Sequence, residues 1–102
     1  MAKPAYLIGS LIHDCAGPRL NADKAPWALG CAEELLVHLA DYKSTYSPAG
    51  DNQAKAIKRI LVRLRDHFAT NGKSGMTQGT AKTKAMELKK LWTEILPDTL
   101  EN

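Results

Sequence analysis

Apolar and polar positions alternate most regularly between Asp51 and Phe68, DNQAKAIKRILVRLRDHF. Ile57, Ile60, Leu61, Leu64 and Phe68 recur at i, i+3, i+4, i+7 and i+11, which places all five on one face of a helix. Lys55, Arg59 and Arg63 step by four along another face, with Lys58 and Arg65 nearby. The helix has two candidate starts: Ser47 as cap with Pro48 in the first turn, or Asp51 as a later cap, and Asp51 suits the positive end of the helix dipole either way. His67 falls where a cation is favoured, and Asn71-Gly72 is a natural stop.

The same reading predicts three more helices. Residues 4–16 form a short first one, with Pro4 in its first turn and Leu7, Ile8, Leu11, Ile12 and Cys15 on its apolar face. Gly17-Pro18 ends it. The second helix opens after Asn21 or Asp23, either of which can cap it, tolerates Pro26 in its first turn, and runs to about Tyr46. Its seam, Ala28, Ala32, Leu35, Leu39, Tyr42 and Tyr46, alternates steps of four and three, and Trp27, Cys31 and Leu36 widen the stripe. After the glycine-rich connection Asn71–Thr80, a last helix from about Thr80 to Leu96 repeats the spacing through Ala81, Ala85, Leu88, Trp92 and Ile95, and Pro97 ends it. A frayed tail is expected over 98–102. No segment shows strand alternation bounded by hairpin turns. The expected fold is all-α: a single domain over 1–102, a small bundle of three substantial helices plus a short N-terminal one.

Composition is consistent with that picture and narrows the function. A chain of 102 residues with 44% hydrophobic and 25% charged content is an ordinary globular domain. Two cysteines make no disulfide framework and read as buried free thiols. The apolar run Ala5–Ile12 is too short for a signal peptide, and nothing approaches the ~20 apolar residues of a membrane span. A soluble, cytoplasmic protein without membrane contact is therefore expected.

Charge is distributed unevenly. Residues 1–49 carry four bases and five acids, residues 50–90 ten bases and three acids, and residues 91–102 three acids and no base. The bases of the middle segment, Lys55, Lys58, Arg59, Arg63, Arg65, Lys73, Lys82, Lys84, Lys89 and Lys90, form the strongest candidate binding surface. The tail acids Glu94, Asp98 and Glu101 are candidates to fold back over it.

Other chemistries find weaker support. Gly72-Lys73-Ser74 imitates the end of a phosphate-binding loop, but the position where the pattern needs its first Gly is His67, and a helix rather than a strand precedes it. Cys31, Glu34 and His38 share a helix face and are zinc-capable, with His13 or Cys15 as a possible fourth ligand, yet no paired-ligand spacing supports them. Cys31 is expected to face the core, leaving Glu34 and His38 as an exposed polar pair. A reactive thiol needs a positive neighbour or a helix N-terminus. Cys15 instead sits beside Asp14 near a helix C-terminus, and Cys31 among Glu33 and Glu34. No catalytic residue, cofactor or metal is assigned.

A helix-turn-helix needs a turn of three to four residues, shorter than the Asn71–Thr80 connection. Single-strand binding needs exposed aromatics among bases, whereas Trp27, Tyr42, Tyr46, Phe68 and Trp92 all lie on expected core stripes and Tyr6 alone is ambiguous. The sequence thus points to a non-catalytic regulatory binding protein, an inhibitor or adaptor. Its basic face would meet an acidic protein partner or a nucleic-acid-handling complex, with direct, sequence-tolerant nucleic-acid binding through phosphates as the alternative. The seams of the second and fourth helices suit pairing within one chain or sharing in a homodimer.

Overall fold

The ends of the helices follow from local chemistry visible in the computed structural model, which describes residues 2–42 and 48–101. The elements are α1 (Pro4–Asp14), α2 (Ala25–Asp41), α3 (Pro48–Ala69) and α4 (Gln78–Ile95), followed by a 3₁₀ turn, Pro97–Leu100. No strand occurs among the described residues. The protein is all-helical.

α1 ends two residues earlier than the spacing suggests, with Cys15 as its C-cap. Asn21 does not cap α2 directly. It builds the turn before it: its Oδ1 accepts from Asp23 N–H at 2.9 Å, and its carbonyl accepts from Lys24 and Ala25 N–H. α2 stops at Asp41, with Tyr42 as C-cap, rather than running to Tyr46; Tyr46 and Ser47 lie outside the described residues. α3 starts at Pro48, the earlier of its two candidate positions. Its end is the expected Asn71-Gly72 stop: both take positive φ (53° and 82°), and Gly72 N–H closes onto the His67 carbonyl at 2.7 Å. α4 starts at Gln78, because Thr77 caps it by accepting from Thr80 N–H at 3.1 Å.

Pro97–Leu100 packs against α1 and α4. The indole N–H of Trp92 donates to Thr99 Oγ1 at 2.7 Å, and that hydroxyl donates to the Leu96 carbonyl at 2.7 Å.

Each helix packs on its neighbours in a closed order: α1 on α2, α2 on α3, α3 on α4 and α4 on α1, and among the described residues no Cα atoms of the diagonal pairs approach within 8 Å. The core draws on all four: Leu7, Ile8, Leu11 and Cys15; Ala28, Cys31, Ala32, Leu35 and Leu39; Ala54, Ile57, Ile60, Leu61, Leu64 and Phe68; Ala81, Ala85, Leu88, Trp92 and Leu96. The seam residues of α2 and α4 are thus mostly buried within one chain, in a core they share, while the backbones of both helices pack on α3 rather than on each other. The radius of gyration, 12.9 Å, matches the ~13 Å of a compact domain of this length.

Of the aromatics expected on core stripes, Trp27 departs from the expectation, and the ambiguous Tyr6 is exposed. Trp27 is 54% exposed and Tyr6 56%. Trp27 stands in the first turn of α2, where it lines a cleft with Tyr6 and Leu7 of α1. Tyr42, at the end of α2, is half-buried.

Candidate binding surface

The apolar periodicity of α3 turns Ile57, Leu61 and Leu64 into the core, and helix geometry then sends Lys58 and Arg65 to the flank that meets α2. There they border an open groove of about 600 Å³ between the two helices. Leu36, Leu39 and Ala40 of α2 and Ala54 and Val62 of α3 supply its apolar lining, and Lys55, Lys58 and Arg65 its positive charge. Asp51 also lines it and pairs with Lys55 at 3.6 Å. Both side chains of that pair are well exposed (66% and 47%), so the pair is weak and leaves the groove positive.

The remaining bases are not brought to this groove. Arg59 and Arg63 are exposed on α3 but outside it, and Lys73 is exposed in the α3–α4 connection. Lys82, Lys84, Lys89 and Lys90 stand on α4, which packs on a different flank of α3 from α2. Lys84 is half-buried and reaches Glu87 at 3.5 Å. Nor do the tail acids close over the bases among the described residues. Glu94 accepts from the Gln53 side-chain amide at 2.7 Å, and Asp98 and Glu101 are exposed. The ion pairs among the described residues are the local ones, Lys55–Asp51 and Lys84–Glu87.

His67 is the polar residue that periodicity misplaced. It is 2% exposed at the end of α3. Its Nε2 lies 2.9 Å from Gln78 Oε1, while the Gln78 amide donates to the Asp14 carbonyl at 3.3 Å. With the amide nitrogen committed to α1, the oxygen faces His67, so Nε2 carries the proton and the buried Nδ1 is left unpaired. A signal for this was present: His67 falls ten residues after Ile57, at the edge of the apolar face.

The zinc-capable residues do not converge. No group of three or more His, Cys, Asp or Glu side chains is arranged for a metal among the described residues. Cys31 is buried as expected, but Glu34 and His38 are half-buried rather than exposed, and His38 Nε2–H donates to the Ala2 carbonyl at 2.8 Å. Burial pushes both thiols up from an ordinary 9.0 to about 11, with Asp14 adding to the effect at each and Glu34 at Cys31. Both cysteines are neutral thiols at pH 7 and poor nucleophiles.

No helix among the described residues is long and apolar enough to cross a membrane. Comparison with family models, with curated proteins and with solved structures finds no match to this chain. The functional reading therefore rests on the surface itself.

Proposed function

We propose that this chain is a non-catalytic regulatory binding protein, a small helical bundle that docks onto an acidic protein partner as an inhibitor or adaptor. The observation that carries the reading is the α2–α3 groove, where an apolar floor is bordered by Lys55, Lys58 and Arg65. Apolar contact supplies affinity, and complementary charge at the border supplies orientation and on-rate. A phosphate backbone would use the charge but leave the half-buried Leu36 and Val62 without a partner. A partner segment with apolar residues on one face and carboxylates beside them uses both.

Fluorescence anisotropy tests this with two probes, an acidic amphipathic helical peptide and a generic duplex, each at low and moderate salt. The peptide is expected to bind, and Lys55→Glu/Lys58→Glu/Arg65→Glu to abolish binding while Arg59→Glu/Arg63→Glu leaves it largely intact. Duplex binding weakened mainly by Arg59→Glu/Arg63→Glu, with log affinity falling against log salt at a slope near −0.9 per phosphate neutralised, favours direct nucleic-acid contact instead. If neither probe binds at low salt, both readings fail.

A further inference from the structure

A second concavity, about 320 Å³, lies between the start of α1 and the first half of α2, away from the basic groove. Tyr6 from α1 and Trp27 from α2 line it, each more than half exposed. Leu7 and Cys31 are its buried lining. Gly30 also lines it, and a Cβ built there meets no atom within 4 Å, so the space beside it is open. The His38–Ala2 hydrogen bond holds the start of the chain against α2, and Ala2 forms part of the lining.

The charge of this cleft is opposite to that of the α2–α3 groove. Among the described residues that line it, Glu34 alone carries charge and none has a basic side chain. The Cys31 thiol is neutral there because burial raises its pKa to about 11.

These features select a ligand class. Two half-exposed aromatic rings leave apolar surface in water that a ligand would cover. Ring faces attract cations, and a carboxylate beside them supplies a counter-charge. The rest of the lining is apolar and cannot replace the hydration shell of a simple ammonium, but it accepts methyl groups. Stacked nucleobases fit poorly, because that mode needs cationic side chains among the aromatics. We propose that the Tyr6–Trp27 cleft binds an alkylated ammonium group against its two rings, with Glu34 as the counter-charge.

NMR of the two tryptophan indole N–H signals reads the site directly, since Trp27 is exposed and Trp92 is buried. Choline is titrated against its uncharged carbon isostere 3,3-dimethyl-1-butanol, and a trimethyllysine peptide against the same peptide unmethylated. A saturable shift of the Trp27 signal with choline or with the methylated peptide is expected. Choline should bind about fivefold more tightly than the isostere, the size of a cation–π contribution at an exposed site. Glu34→Gln should lower choline affinity by at least a similar factor. Gly30→Leu, which fills the cleft and removes a helix glycine, should abolish binding without lowering the melting temperature. Tighter binding of the methylated peptide than of choline identifies a modified protein as the source, and the reverse order a free small molecule. Equal binding of choline and its isostere, no shift with either cation, or undiminished binding in Gly30→Leu would overturn the proposal.

Discussion

Trp92 and Thr99 hold the end of the chain onto the core: the indole N–H of the fully buried Trp92 donates to the Thr99 hydroxyl at 2.7 Å. The hydroxyl in turn donates a hydrogen bond to the Leu96 carbonyl, so one side chain satisfies a buried donor and a helix-end acceptor. Thr99→Val keeps the shape and removes both bonds. The expected loss is about 1–3 kcal/mol, the cost of stranding a buried polar group. In a domain of this length that lowers the melting temperature by roughly 4–8 °C per kcal/mol. Thr99→Ser should melt close to the parent. Calorimetry of the three proteins checks this, and an unchanged Thr99→Val would mean that the turn contributes nothing.

Gln78 ties three helices at one end of the protein, accepting from His67 of α3 and donating to the Asp14 carbonyl of α1. Gln78→Leu should cost about 1–3 kcal/mol, because it leaves the buried His67 without its partner. His67→Leu combined with Gln78→Leu should cost less than the two single losses added together, since neither polar group then remains to be satisfied. Urea unfolding of the full double-mutant cycle measures the coupling; strict additivity would contradict the bond.

Burial raises the Asp14 carboxyl above its usual 3.8, against the opposing pull of His13 and Lys24. A carboxyl with a raised folded pKa favours folding most fully at pH below 3.8, and that contribution is lost as pH rises through the folded value. Asp14→Asn abolishes this titration. Relative to the parent, the variant should therefore gain stability between pH 3 and pH 7. Chemical unfolding at those two pH values tests the sign, and a relative loss would refute it.

Cys15 is fully buried, Cys31 is 4% exposed, and both thiols are shifted to about 11. Labelling by a disulfide reagent at pH 7 should be slow in the native state and rapid in denaturant. Native labelling should quicken as pH rises toward 11, as the thiolate fraction grows. Rapid native labelling of either cysteine at pH 7 would place it outside the core.

Helix content and most of the core were legible in the sequence, because a buried helix face must repeat every three or four residues. Ile57, Leu61 and Leu64, or Ala81, Ala85 and Leu88, need no tertiary information to be grouped. Trp27 shows where periodicity stops: it borders the apolar stripe of α2, but a helix face is buried only where another element reaches it. His67 shows the converse, a polar residue drawn inside because Gln78, eleven positions later, supplies its partner.

The candidate surface divides in the same way. Which residues are basic, and that they cluster in the middle of the chain, is a property of sequence alone. Their division into groove-lining Lys55, Lys58 and Arg65 and the separate α4 lysines is decided by packing, since α2 and α4 meet α3 on different flanks. The juxtaposition of Tyr6, Trp27 and Glu34 likewise exists only once α1 folds against α2. Sequence by itself determined the helices and the sign of their charge, because both arise from interactions within a few residues. The tertiary structure decided which side chains share a cavity, because that depends on how the packed helices are rotated and which of their faces remain uncovered.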